Sequence, residues 1–263
     1  MNQLPPVSGP STSPSGTAQA PQEPSSRQPI RVEVPRSAPY VTYTIIGITV
    51  FFYILQLLSE YALSNDILVI YGARINEAIR AGELWRFLTP ALLHGSLPHI
   101  AFNMYALLSF GTSLERFFGH GRFLVLYVLG AFAGNVASFL FSPGYSVGAS
   151  TAIFGLLGAE AIFLIQNRKV FPGQFRSAIG NIIFIAAINL FIIGSLPGID
   201  NWGHVGGLIG GLMFTSFAGP LWELEGIYPA YHAVDRRSFQ SVLIGAAMVI
   251  LIFGGLAMWG MVR

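Results

Sequence analysis

The sequence predicts an all-α, polytopic membrane protein: a six-helix core plus a seventh, C-terminal transmembrane helix. Three observations predict it. Only 10% of the 263 residues are charged and 53% are hydrophobic, whereas soluble domains carry about 25% charged residues. The apolar residues fall in recurring runs, the longest sufficient to cross ~30 Å of hydrocarbon. Thirty glycines lie in this apolar chain, a composition suited to close helix–helix approach in lipid. The net charge of +2 gives no electrostatic footing for nucleic acid. With no cysteine, disulfides, zinc–thiolate sites and thiol nucleophiles are excluded.

Taken in order, residues 1–38 form a Pro/Ser-rich segment, with Pro5-Pro6 and Ser11-Thr12-Ser13-Pro14 as examples. Its few apolar residues cannot offset the entropy of ordering, so it reads as a disordered tail. No basic region leads into a short apolar core, so it does not read as a secretory signal. The core is expected over 39–220. Its first span runs from about Thr42 to Leu63. The mixed segment that follows, to about Leu97, carries Asp66, Arg74, Glu77, Arg80, Glu83 and Arg86 beside Tyr71, Trp85 and Phe87. It is too polar to span and too apolar for a plain loop, which fits an interfacial insertion at headgroup level.

Pro98 suits the first turn of a helix, so the second span runs from there to about Leu114. The third covers Phe123–Phe141, the fourth Ser150–Ile165, the fifth Ala178–Ile193 and the sixth Gly203–Phe217. A polar linker over 221–238 precedes the seventh span in 239–263. Placing the N-terminus in the cytoplasm leaves only Arg74, Arg80, Arg86 and Arg263 of the basic residues outside. The positive-inside rule therefore supports a cytoplasmic N-terminus and an external C-terminus.

Under this topology the second, fourth and sixth spans all start at the outer surface. His99 and Asn103 begin the second, Ser150 the fourth and His204 the sixth. These four polar side chains, distant in sequence, thus fall at one depth. Reversing the topology moves them together and preserves the coincidence. His99 and Asn103 are four apart and share a helix face. Glycines flank the others: Gly155 and Gly158 follow Ser150, and Gly203, Gly207 and Gly211 make a small-xxx-small stripe. A serine hydroxyl needs a base to become a nucleophile, and His204 is the available one. The Asn103 amide, the His99 ring and the Ser150 N–H at a helix start can serve a tetrahedral oxyanion. Asp200 falls in the loop above His204, and Glu160 lies about 15 Å deeper than Ser150 at helical rise. A Ser–His dyad is therefore expected rather than a triad. Singly, such residues act as interhelical hydrogen-bond glue; it is their common depth that favours a site.

At these residues the sequence resembles the rhomboid family of intramembrane serine proteases, from about Trp85 to Gly211. Trp85-Arg86 is similar to the family's Trp-Arg pair in the first extramembrane loop. His94, His99 and Asn103 resemble its His-x4-His-x3-Asn pattern, and Glu115 with Gly119 its Glu-x3-Gly. Gly148-Ala149-Ser150 resembles the Gly-x-Ser nucleophile motif, and His204 with Gly207 the His-x2-Gly of the sixth span. The resemblance implies a rhomboid-like core with one added helix. It implies Ser150 as nucleophile, His204 as general base, and His99 and Asn103 in oxyanion stabilisation. Thr151 stands where many members carry glycine, and Gly203 where alanine is common. Neither removes a catalytic atom.

The expected activity is endoproteolysis in or beside the transmembrane segments of membrane-protein substrates, in a multi-pass protein of a bacterial-type plasma membrane. The resemblance further implies helix-weakening residues near the scissile bond and a small residue before it. No cofactor and no metal is implied, and no His-Glu-x-x-His site exists. The alternative is a catalytically silent protein of the same fold that binds client transmembrane helices. A transporter predicts internal repeats, and none is seen. Oligomeric state, substrate identity and the source organism are not encoded in any motif.

Overall fold

The computed structural model describes residues 34–171, 173, 175–227 and 230–263. The Pro/Ser-rich tail lies outside the described residues up to position 33. The first expected span is α1 (Tyr40–Leu63). Its N-terminus has no side-chain cap of its own. Instead Glu115, fully buried, accepts from the backbone N–H of Val41 and Thr42 and from the Thr42 hydroxyl, at 2.7–2.8 Å. A carboxylate at a helix start meets orphan N–H groups and the positive end of the dipole.

The mixed segment folds as α2 (Ile67–Gly72), α3 (Asn76–Arg80) and two 3₁₀ turns, Leu84–Phe87 and Thr89–Leu92. Trp85-Arg86 lies at its centre. The Arg86 side chain is buried and donates to the carbonyls of Ala73 (2.6 Å) and Ile70 (2.9 Å) and to Glu83 (2.7 Å). The half-exposed Trp85 indole donates to the Tyr71 carbonyl at 3.0 Å. One planar fork thus closes the insertion onto itself. Arg86→Ala is expected to destabilise the protein by on the order of 3 kcal/mol, because buried carbonyls lose charged donors. Lysine, lacking the fork, should not restore it. Thermal unfolding in micelles checks both variants.

The second span begins at α4 (Leu97–Ala106), capped by Ser96, whose hydroxyl accepts from the His99 N–H. It continues through a π turn (Leu107–Gly111) into α5 (Thr112–Phe118). The helix therefore runs past the expected end at Leu114 and takes in Glu115. Gly119 joins it to α6 (His120–Phe141). Then come α7 (Ser150–Gln166), α8 (Phe175–Ala187) with a π turn and a 3₁₀ turn to Ser195, and α9 (Asn201–Ala218). The linker is more than a polar connection: β1 (Trp222–Ile227) pairs antiparallel with β2 (Ala230–Asp235), so among the described residues one hairpin interrupts the helices. Last is α10 (Phe239–Val262).

Among the described residues four helices are long and apolar enough to cross a membrane: Tyr40–Leu63, His120–Phe141, Phe175–Ser195 and Phe239–Val262. The centre of the fold is the trio α6, α7 and α9. Glycines set their spacing. A Cβ on Gly155 would meet the Gly130 backbone at 2.9 Å, and one on Gly158 would stand 3.1 Å from the Leu212 nitrogen. Helices this close bring their first turns together, and Ser150 and His204 lie in those turns.

Candidate active site

The central helix α7 has 17 residues, a length of about 25 Å at helical rise. That is shorter than ~30 Å of hydrocarbon, and Ser150 is its first residue. The approach to it is built from backbone. Gly148 has φ of +131°, a conformation that L side chains rarely adopt. A Cβ there would also stand 2.8 Å from Cε1 and Nε2 of His99. The Gly148 N–H donates to the Pro90 carbonyl at 2.9 Å, and the Ala149 N–H to His94 Nε2 at 3.4 Å. Burial, with His99 beside it, pulls His94 down to about 3, so its ring is neutral and Nε2 is free to accept. The His94 backbone in turn exchanges hydrogen bonds with the Gln56 carboxamide of α1. His94 thus holds the serine loop and does not reach the serine.

His204, on the first turn of α9, faces Ser150 with Nε2···Oγ at 2.9 Å. Phe154, one turn along α7, stacks on the imidazole with centroids 4.3 Å apart and planes within 9°. The ring is therefore fixed in both tilt and direction. Its Nδ1 is buried and has no hydrogen-bond partner among the described residues. His99 and Ser150 share with His204 a cavity of about 190 Å³, whose rim includes Tyr145, Ser146 and Asp200. Asn103 is brought near but differently: it is buried, its amide donates to the His99 carbonyl at 2.8 Å, and it does not line the cavity. Trp85, Arg86, Glu115 and Gly119 are structural and away from the cavity, as described above. Gly207 touches Thr151, where a Cβ would overlap the Thr151 carbonyl oxygen. Thr151 itself is buried, its side chain against Gly134 and Gly203. The bulk next to the serine is matched by glycines on α6 and α9.

Asp200 is what the sequence reading undervalued. It is not a third member behind His204, since its oxygens are engaged elsewhere. It caps α9 by accepting from the Gly203 N–H at 3.1 Å. It also accepts from the hydroxyls of Ser138, Ser142 (2.7 Å) and Ser146, with the Arg74 guanidinium 4.0 Å away. Arg74 is itself buried, and its backbone pairs with that of Ser146. The aspartate thus ties the interfacial insertion, the end of α6, the serine loop and the start of α9 at one point. An Asp immediately before an apolar run is a helix-start signal, and that signal was legible.

Burial pushes the Asp200 carboxyl up, but the hydrogen bonds from Ser138, Ser146, Ser142 and the Gly203 N–H outweigh it and hold it below its ordinary value. A depressed folded-state pKa stabilises fully above the unfolded value of about 3.9 and is lost as pH falls through the folded one. Asp200→Ala is expected to cost about 2 kcal/mol through the lost cap and orphaned donors. The variant should also lose the part of the low-pH destabilisation that Asp200 supplies. Thermal midpoints measured from pH 7 to pH 3 check both.

Residues 81–220, over half of the chain, match the family described as Rhomboid domain. The chain is 40% identical over 218 residues to "Rhomboid protease GluP" of Bacillus subtilis, covering 83% of this chain and 41% of that protein. It is 40% identical over 190 residues to "RHOMBOID-like protein 1" of Arabidopsis thaliana, covering 68% of this chain and 48% of that protein. With "RHOMBOID-like protein 9, chloroplastic" of the same plant the identity is 35% over 157 residues, 59% of this chain and 36% of that protein. The chain therefore spans less than half the length of these curated relatives.

Proposed function

The chain belongs to the rhomboid family and is an integral membrane protein, and from that premise we propose that it is an intramembrane serine endopeptidase working through a Ser150–His204 dyad. The observation that carries this reading is the 2.9 Å contact between Ser150 Oγ and His204 Nε2 in the cavity they share with His99. Nε2 takes the hydroxyl proton as Oγ attacks the substrate carbonyl carbon. The oxyanion that forms is met by the Ser150 N–H, a first-turn donor without a helical acceptor, and by the His99 ring. Asn103, holding the His99 carbonyl, orients that donor and has a second amide N–H to offer. Protonated His204 then gives its proton to the leaving amine nitrogen, and the C–N bond breaks. A water, deprotonated by the same imidazole, hydrolyses the acyl ester and restores Ser150. Among the described residues no carboxylate bonds Nδ1 of the imidazolium; the face of Phe154 is the group that supports its charge.

Seven spans, with the N-terminus cytoplasmic and the C-terminus outside in a bacterial-type plasma membrane, complete the proposal. The distribution of basic residues along the chain supports that orientation. Substrates are transmembrane proteins whose helices unwind near the scissile bond, because a peptide bond in an intact helix is shielded from Oγ. The test is labelling of the purified protein by a fluorophosphonate, together with cleavage of a reconstituted transmembrane substrate. Labelling at Ser150 and cleavage support the dyad. An unmutated protein that neither labels nor cleaves across several substrates, yet retains transmembrane helices on co-purification, is the client-holding alternative.

A further inference from the structure

A cavity of about 550 Å³ lies at the other end of the helices from Ser150. It is bounded by residues 35–37, the α5–α6 turn, the hairpin and the start of α10. The proteolytic reading gives it no role. Its walls divide by chemistry. Arg36, Arg116 and Arg122 bring three guanidinium groups to it, and Gly119 and Gly121 bring the start of α6. That helix is 22 residues long and has no side-chain N-cap, so its first N–H groups and positive dipole end are available to an anion. The rest of the lining is apolar and aromatic, including Phe117, Val125, Phe239 and Val242.

The charges are not cancelled by the protein. Asp235 is committed to Arg122 at 2.8 Å, and it also accepts from the N–H groups of Leu221 and Arg237. Glu115 is spent on the start of α1 and on His120. Arg36 and Arg116 are exposed and have no carboxylate partner among the described residues; Arg36 lies over the Phe117 ring at 5.7 Å. Two uncompensated cations and a bare helix start above an apolar floor, at the membrane face of three spanning helices, suit an amphiphile with a negative head. We propose that this cavity binds an anionic phospholipid, its phosphate between Arg36, Arg116 and the first turn of α6, and its acyl chains along the floor. Basic pockets between transmembrane helices are the general form of such sites. The site anchors the N-terminal segment, the hairpin and α10 to one lipid.

Full-length protein in a neutral detergent is titrated with phosphatidylglycerol or phosphatidylcholine, and bound lipid is counted by native mass spectrometry. Phosphatidylglycerol is expected to bind roughly 25-fold more tightly, on a weight of about fivefold for each basic residue at an anionic surface. Arg36→Gln and Arg116→Gln should each lower its affinity about fivefold, while Arg116→Lys should keep most of it. Gly121→Trp offers a second approach: a Cβ at Gly121 meets nothing within 4 Å, so the indole can fill the cavity and block lipid with every charge in place. Thermal midpoints without lipid identify any variant that has lost its fold, and the lysine and tryptophan variants then carry the comparison. Equal affinity for the two lipids, or unchanged phosphatidylglycerol binding in the glutamine and tryptophan variants, overturns the proposal. Displacement of the lipid by equimolar inorganic phosphate overturns it too, assigning the cavity to a free anion.

Discussion

Ser150→Ala is expected to lower turnover of a reconstituted transmembrane substrate by roughly 10⁴- to 10⁶-fold and to abolish fluorophosphonate labelling. The hydroxyl makes its described hydrogen bond to His204, so its loss removes the nucleophile while the framework of α6, α7 and α9 stays. His204→Ala should cost a comparable factor, because an unassisted serine hydroxyl is a poor nucleophile. The double variant should be no worse than either single one, since each removes the same covalent route. His99→Ala should lose less, roughly 10² to 10³, as for one oxyanion donor. Cleavage that survives in both Ser150→Ala and His204→Ala sinks the dyad. A His99→Ala loss as large as that of Ser150→Ala would instead move His99 from oxyanion donor to base.

How much of this was legible beforehand follows from which interactions are local. Four of the expected spans coincide with helices long and apolar enough to cross a membrane, because such runs are a local property of the sequence. The end of the second span was misjudged at Glu115 because charge alone marked a loop. A fully buried glutamate can remain in a helix when another helix's N–H groups satisfy it, and that partner lies far away in sequence. The hairpin at 222–235 was read as a polar linker for a similar reason. Its first strand is tied at its start to Asn167, which accepts from the Trp222 N–H and donates to the Pro220 carbonyl. The hydrogen bonds of Asp200 to three serines on two other segments had no signature at a fixed spacing. Thr151, a departure from the family pattern, is explained by Gly134 and Gly203 on the facing helices. A substitution beside a nucleophile is legible only with its packing partners.

Gly211→Ala is expected to be far more damaging than its single added methyl suggests. A Cβ at Gly211 would overlap the Gly155 carbonyl oxygen of α7, with the Gly155 Cα at 2.7 Å. The obstacle is backbone, so no rotamer change relieves it, and α7 and α9 must separate. Overpacking in a well-packed core costs about 1–3 kcal/mol and occasionally more; a backbone obstacle on a central helix pair belongs at or above the upper end. Gly255→Ala on α10 is the control. Nothing lies within 4 Å of a Cβ there, and alanine in an open helical position is worth roughly 0.5–1 kcal/mol over glycine. The two substitutions are chemically identical and should move the thermal midpoint in opposite directions. The consequence for catalysis is sharper than for stability. Gly211 lies two turns below His204, on the stripe that continues through Gly207 to Thr151, so separation there opens the 2.9 Å contact between His204 and Ser150. Labelling of Ser150 should therefore fall in Gly211→Ala even at temperatures where the protein remains folded, and stay unchanged in Gly255→Ala. Equal midpoints and equal labelling in the two variants would mean that the close approach of α7 and α9 does not set the geometry of the dyad.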